Sequence, residues 1–536
     1  MHATTPEHTL RAQEALSLLR EERAIVPGAA LTLNHPNVFP DCKKAVERIE
    51  RAIESGEKIA LFGDYDCDGI TAIAQLVRMF RRRGVEPYIR LPHRVNDGYG
   101  LHAGIVKEFS ERGIGLVITA DTGITATKEV AALQEQGIDV IITDHHHPQE
   151  EIPPAYAILH PLLSGRYALP HPSGAGVALQ LIRAVEGSDW DGMATDWALA
   201  SLGTVADLVE LRGDNRTIVH HGLRALNTAP LEGGLRALVD HIQREAPLTS
   251  TDIGFRIAPR INAAGRMEDP MIALQALLEG GESLLKIEQL NVERQKQTAI
   301  LVEEALQLFS VGTPPGFLFL ADARYPHGLL GLIAGRLTEY YGKPSLVAAI
   351  DGETCTASLR SPAIYNVTAA LERNAKHLER FGGHAQAAGC TFAVRELEAL
   401  REGLQIDVAA HADPTQLVPT IHVDAIVDPE SVTTDFCEEL LSLEPFGQGN
   451  MEPRFLFPGL FATNTRAVGG GAHLQLYAGG MKAIGFGLGR LENALDERID
   501  VVARVGIDTW QGRNKPQLFI EDIRVAKSAT SAVNGK

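Results

Sequence analysis

The chain has 536 residues, 45% hydrophobic and 22% charged, which excludes disorder as the dominant state and gives three or four domains at roughly 100–200 residues each. Its 50 Lys and Arg against 68 Asp and Glu leave a net charge of −18, which argues against wholesale wrapping of nucleic acid but permits a local basic groove. No apolar run nears the ~18 residues of a membrane span, and the N-terminus lacks the apolar core of a secretory signal. Five scattered cysteines without CxxC spacing point to a reducing cytoplasm, not to disulfides or structural zinc.

Residues 1–45 read as a helical lead-in followed by a loop rich in Pro and Asn (Asn34, Pro36, Asn37, Pro40). The short apolar run 58–63 predicts a buried strand, and Ile70, Ile73, Ala74, Val77 and Phe80 recur behind it at helical spacing. Strand-like runs at 87–92, 115–121 and 138–144 alternate with helical stretches at 103–112 and 127–136. That alternation predicts an α/β domain with a mostly parallel sheet over 46–215. Helical sequence dominates from about 174 to 309, and the proline-free stretch 281–309 is expected to form one long connecting helix at the end of a helical region, 216–312. Past the breaker Thr313-Pro314-Pro315 a second, smaller α/β domain is expected over 313–412. Short strands with regular turns over 413–526 suggest a small barrel, and 527–536 a polar tail.

Asp64, Asp66 and Asp68 alternate just past the first strand. Alternating side chains in an extended loop point the same way, so three carboxylates converge, and a hard divalent cation relieves their repulsion. One such Asp alone would ordinarily be a turn or N-cap residue. Asp121 and the run Asp144-His145-His146-His147 end the next two strand patterns. Open α/β sheets place functional groups at the carboxyl ends of strands, so these residues meet in one crevice. Imidazole among carboxylates suits Mn²⁺ or another transition metal better than Ca²⁺. Asp207 stands in an otherwise apolar helical stretch, where burial without a partner would be costly. Cys67 is expected to pack, and His147 to be solvated or to support a ligand.

These motifs (DYDCDG, DTG, DHH and VADLVEL) resemble, in order, those of the DHH phosphoesterase superfamily, and within it the RecJ family of single-strand-specific 5′→3′ exonucleases. The likeness runs from about 40 to 525 and includes PRINAAGR at 259–266, SLR at 358–360, GGHAQAAG at 382–389 and PFGQGN at 445–450. It implies a catalytic DHH domain over 46–215, a DHH-associated phosphate-binding domain over 313–412 and an OB-like nucleic-acid-binding barrel over 413–526. It also implies a centre of two divalent cations, Mn²⁺ preferred and Mg²⁺ possible. Asp121 would bridge them, with Asp68, His145 and Asp207 at one ion and Asp66 at the other, and His146 at the scissile phosphate. Many superfamily members carry a histidine where this chain has Phe62, which leaves Asp64 or water to complete the second ion's shell. No Ser, Cys or Lys nucleophile has a matching base in these motifs, so direct attack by water is the simplest chemistry.

Arg266, Ser358, Arg360 and His384 come from distant segments and are of phosphate-binding type. The resemblance implies that they hold a 5′-terminal phosphate, with Arg94 as a further phosphate contact. Gly382 and Gly383 would allow backbone approach to a phosphate, or form an ordinary turn. Arg78, Arg81, Arg82 and Arg83 are expected to be a solvated cationic helix end. Of Phe455, Phe457, Phe461, Tyr477 and Phe486 in the barrel, most are expected in the core, although such aromatics can stack bases. The expected activity is metal-dependent hydrolysis of single-stranded DNA to nucleotides in repair and recombination. Single-strand-binding protein and a helicase are the implied partners, and the expected state is a cytoplasmic monomer with no membrane contact. The rivals are a phosphatase of the superfamily acting on short oligonucleotides and a scaffold that has lost its metals. A long connector argues against the first, and the complete Asp/His set against the second.

Overall fold

The computed structural model describes residues 9–26, 31–94, 97, 100–187, 193–242, 247–418, 420–495, 498–509 and 514–525. The chain divides into two compact units, one of 31–419 with 447–449, the other of 1–30, 420–446 and 450–536. The tail at 527–536 lies outside the described residues.

The larger unit opens with a five-stranded, wholly parallel sheet in the order Tyr88–Arg90, Ile59–Gly63, Leu116–Ala120, Asp139–Thr143, Ala157–Leu159. Its central strands are buried on both faces, which explains why they read as unbroken apolar runs. Phe62, Phe109, Val117 and Val140 fill the core on one face. On the other, Leu61, Ile118 and Ile141 pack with helices Cys67–Arg82 and Gly174–Glu186. In-register pairing of Gly63 with Ala120 and of Ala120 with Thr143 brings three strand ends level. The residues that follow each strand therefore face the same crevice.

The four arginines that close Cys67–Arg82 differ from the expected solvated end. Arg78 and Arg82 both pair with the fully buried Asp196, at 2.7 and 2.9 Å. Arg81 pairs with Glu86 and Glu279, and Arg83 with Glu50. Partners from several other elements turn this cationic helix end into a packing joint.

The expected connector is a single 28-residue helix, Gly281–Leu308. A second five-stranded sheet follows in the order Arg380–His384, Ala387–Ala393, Thr354–Arg360, Ser345–Asp351, Leu318–Asp322. Only its last pair is parallel. Gly382, Gly383 and His384 lie in an exposed strand, not in a turn, with Gly383 opposite Ala388. A Cβ on Gly383 would sit 2.5 Å from the Ala387 carbonyl oxygen, so glycine is needed there for pairing. A Cβ on Gly382 would meet nothing within 4 Å.

The smaller unit is a closed OB-type barrel. Its long strand Phe455–Val468 bends so that its first half pairs with Arg498–Asp508 and its second with His473–Ala478. Met481–Gly485 and Lys515–Val525 complete the closure. Phe455 and Phe457 are core, as expected, but Phe461, Tyr477 and Phe486 are exposed. Residues 9–26 are not a lead-in to the first α/β domain. Thr9–Leu10 pairs in parallel with Ala425–Val427, and Ala12, Leu16 and Leu19 join the barrel core. The sequence gives no local sign of that pairing because its partner lies more than 400 residues away.

Candidate metal centre and phosphate pocket

Asp66 is the N-cap of helix Cys67–Arg82, its Oδ1 accepting from the Asp68 and Gly69 amides at 3.0 and 3.2 Å. Capping holds the Asp64–Asp68 loop against the strand end. Asp68, fully buried, receives the Gly174 and Ala175 amides at 2.7 and 3.0 Å, the first turn of Gly174–Glu186. Asp121 follows its strand in a left-handed conformation, φ 62°, which is uncommon for a non-glycine residue and turns its carboxylate into the pocket. Asp207 caps the C-terminus of Ala194–Ala206.

These elements gather the expected acids and histidines into three overlapping groups with ligand atoms within 4.8 Å of one another. They are Asp64, Asp66 and Asp121; Asp68, His145 and Asp207; and Asp121, His145 and His146. His145 Nε2 lies 3.1 Å from Asp121 Oδ1, 3.6 Å from Asp207 and 3.9 Å from Asp68. Both His145 Nε2 and Asp121 Oδ1 are buried without a hydrogen-bond partner. Two orphaned polar atoms facing each other among carboxylates fit a cation, since hydrogen bonds elsewhere do not account for them. Phe62 is core, and Asp64 belongs to the first group.

The electrostatics agree with the donor set. Burial, followed by the charge of Asp66, raises Asp68 to about 6. Burial and neighbouring carboxylates likewise hold Asp64, Asp121 and Asp207 well above the ordinary range. Burial, then the charge of His146, lowers His145 to about 3, so its ring is neutral, the form a metal site requires. Four acids that resist ionising together are what a multiply charged cation would stabilise.

His146 differs from His145. Burial opposes its charging, but its hydrogen bond to Asp144 raises it to about 9. Asp144 accepts from His146 Nδ1 at 2.8 Å and from the His145, His146 and Ile124 amides. His160 Nε2 meets the His146 carbonyl oxygen at 2.8 Å. His147 is exposed, its ring 6.5 Å from that of His384.

The expected phosphate-binding arginines converge. Burial, then the charges of Arg94, Arg294 and Arg360, lowers Arg266 to about 9. Burial and Arg94 also lower Arg360. Arg94 stacks on Tyr65 at 4.2 Å, beside the first acidic group, and its Nε is buried without a partner. Arg266 donates to the Gly328 carbonyl oxygen at 3.2 Å, and Arg360 to Ser358 Oγ at 3.2 Å and the Leu359 carbonyl oxygen at 2.7 Å. Among the described residues none of these three arginines forms an ion pair with a carboxylate. His384 stands with the histidines and not with the arginines: burial, then the charges of His146 and His147, lowers it.

Several site residues were not singled out by sequence. Asp144 orients His146, and its only signal was adjacency. Asn262 Oδ1 accepts the Cys67 amide at 2.9 Å and so ties Ala258–Met267 to the acidic loop. Gly174 and Gly203 line the floor: a Cβ on Gly174 would lie 2.5 Å from Asp121 Oδ1, and one on Gly203 would lie 2.3 Å from Asp68 Oδ1.

Three family profiles match this chain: "DHH family, N-terminal domain" over 58–204, "DHHA1 domain" over 315–406 and "RecJ OB domain" over 423–522. The single-stranded-DNA-specific exonuclease RecJ of Bacillus subtilis is 33% identical over 92% of this chain, which spans 64% of that relative's length. The RecJ proteins of Thermus thermophilus and Dickeya dadantii are 32% and 30% identical over 90% of this chain, which covers 71% and 90% of them. The crystal structure of T. thermophilus RecJ in complex with Mn²⁺ superposes with a TM-score of 0.84 at 28% identity, over 96% of this chain and 76% of that one. The match to exonuclease RecJ bound to manganese has a TM-score of 0.62 at 32% identity, over 73% of this chain and 98% of that one. With 32% and 30% identity to relatives of which it covers 71% and 90%, and with all three domains in order, this chain belongs to the RecJ family.

Proposed function

We propose that the chain is a divalent-cation-dependent exonuclease that hydrolyses single-stranded DNA from its 5′ end to nucleotides, in DNA repair and recombination. The observation that carries this reading is the overlap of three metal-capable groups on Asp121 and His145 in one buried pocket, in a chain whose family relatives are single-stranded-DNA-specific exonucleases. Two cations, Mn²⁺ preferred and Mg²⁺ possible, would supply Lewis acidity and an activated water for in-line displacement at phosphorus.

The chain's own residues do the rest. Asp64 and Asp66 would hold one ion and Asp68, His145 and Asp207 the other, with Asp121 serving both. His146, its Nδ1 committed to Asp144, would meet the scissile phosphate through Nε2. Arg266, Ser358 and Arg360, with Arg94, would hold the terminal phosphate, and His384 would approach it from the side of the histidines. Half-buried guanidinium groups without a carboxylate ion pair are suited to a phosphate dianion. Exposed Phe461, Tyr477 and Phe486 would stack bases on the barrel. The domain limits 46–215, 313–412 and 413–526 belong to the same reading, as do a cytoplasmic monomer and partnership with single-strand-binding protein and a helicase.

The test is digestion of single-stranded DNA labelled at one end or the other, with Mn²⁺, Mg²⁺ or EDTA, beside a blunt duplex. Mononucleotides should appear first from the 5′ label, EDTA should abolish the reaction and the duplex should resist. Equal turnover of a dinucleotide and a long strand would favour a short-oligonucleotide phosphatase, and failure to bind Mn²⁺ would favour a scaffold.

A further inference from the structure

Helix Gly213–Thr228 presents an unusual face for a chain of net charge −18. Arg212 directly precedes it, and Arg216, His220 and Arg224 follow at every fourth position, a ridge that rises about 18 Å while slanting about 120° around the helix. Arg212, His220 and Arg224 are exposed, and Arg216 is half-buried. The helix has one acid, Asp214, which points inward and accepts from the Asn34 amide at 3.0 Å and Gln180 Nε2 at 3.1 Å. No carboxylate pairs with Arg224 among the described residues. Burial, then the charges of His221, Arg216 and Arg224, lowers His220.

Aromatic rings lie beside the cations. Gly222 brings the helix close to Ala194–Ala206: a Cβ there would lie 2.2 Å from Ser201 Cβ and 2.7 Å from the Trp197 carbonyl oxygen. The rings of Trp197 and His221 lie 4.8 Å apart, and those of His220 and His221 5.7 Å apart. The row begins at the catalytic end of the domain. Asp207 ends Ala194–Ala206, a short link follows, and Asn215 Nδ2 ties the next helix to the Glu210 carbonyl oxygen at 3.0 Å. From there the antiparallel helix leads away from the metal centre.

We propose that this face is a second track for single-stranded nucleic acid, gripping phosphates of the strand beyond the nucleotides held in the active pocket. The inference rests on the exonuclease reading above. Three arginines on a slanted helical ridge, flanked by the rings of Trp197, His220 and His221, fit a single-strand groove, whereas an acidic peptide would need only the charges.

The test compares the full chain with Arg216→Gln/Arg224→Gln, and with Arg224→Glu alone, which alters only an exposed side chain. Binding of a long oligothymidylate is followed by fluorescence anisotropy in EDTA across a salt series. The double variant should bind about tenfold more weakly, and its salt slope should be shallower by about 1.4, at about 0.7 for each lost phosphate contact. The ratio of kcat/KM for a long strand to that for a trinucleotide should fall by a similar factor, and Arg224→Glu should shift each measure the same way. Unchanged affinity and slope in folded variants would overturn the track. Loss of binding to a polyglutamate peptide with DNA binding intact would also overturn it, in favour of a protein-docking face. A wild-type chain that neither binds nor digests a long strand would overturn the exonuclease reading itself, a result no variant could mimic.

Discussion

Asp144 Oδ1 lies 2.8 Å from His146 Nδ1, and the same carboxylate takes the amides of both His145 and His146. One acid thus sets the backbone of the histidine pair and the ring of the second histidine. A contact from His146 to a phosphate oxygen then falls to Nε2. Asp144→Ala should lower kcat/KM on single strands by about 10- to 100-fold, the usual cost of losing an outer partner of a metal-site histidine. Asp144→Asn, which keeps an acceptor oxygen, should lose less. Equal kcat/KM for wild type and Asp144→Ala would remove this orienting role.

Asp121 belongs to two of the three acidic groups, and its backbone sits at φ 62°. Asn tolerates that conformation better than Ala, so Asp121→Asn separates the carboxylate's role from backbone strain. Loss of a ligand shared by both ions should cut the rate by about 10³-fold or more, several kcal/mol of transition-state stabilisation. The fold should persist, because one of the crowded carboxylates is gone. Calorimetric titration with Mn²⁺ should show the loss of at least one site. Activity within about tenfold of wild type, roughly 1.4 kcal/mol, would rule out bridging.

In the second α/β domain, Asp407 accepts from Tyr365 at 2.6 Å and from Arg373 at 2.6 and 2.9 Å. Burial opposes its charge, but these hydrogen bonds hold its pKa below the ordinary value. A carboxyl depressed in the folded state contributes stability above its unfolded pKa, about 3.9, and loses it as pH falls through the lower folded value. Asp407→Asn should therefore cost about 1.5–3 kcal/mol at neutral pH, the range for hydrogen bonds to a charged group. The gap to wild type in denaturation experiments should narrow once pH drops below about 3.9. A gap that is constant with pH would mean that the charge contributes nothing.

The acids and histidines that the fold gathers into one pocket were legible because their signal is local. Asp64, Asp66 and Asp68 alternate within one loop, and Asp121 and His145 end recognisable strands. What sequence did not disclose depends on partners distant along the chain. Arg78–Arg83 look like a solvated run until Asp196, Glu186, Glu50 and Glu279 come to meet them. Thr9–Leu10 is too short to read as a strand, and only Ala425–Val427 makes it one. The need for Gly203 arises only where Asp68 and Ala175 approach from other helices, with Ala175 Cβ 2.6 Å from the added atom.

The last prediction concerns end recognition. Arg360 shares its strand with Ser358, and the two are joined by a 3.2 Å hydrogen bond. Gly331 lies against them: a Cβ there would lie 2.8 Å from an Arg360 terminal nitrogen, so the guanidinium fits a closely shaped pocket. Arg94 from the first domain and Arg266 from helix Ala258–Met267 add charge, and among the described residues none of the three forms an ion pair with a carboxylate. A terminal phosphate carries more charge than an internal diester, and a forked guanidinium can use that difference. Loss of one charged partner costs about 1.5–3 kcal/mol, so Arg360→Ala should weaken the preference for 5′-phosphate over 5′-hydroxyl ends by roughly 10- to 100-fold. Arg360→Lys should restore the charge but not the fork, and recover only part of the preference. Mn²⁺ affinity should not change, since Arg360 belongs to none of the acidic groups. The measurement is kcat/KM on 5′-phosphorylated and 5′-hydroxyl single strands for the wild type and both variants. If Arg360→Ala slows the two substrates equally, Arg360 serves general strand binding and the end is recognised elsewhere.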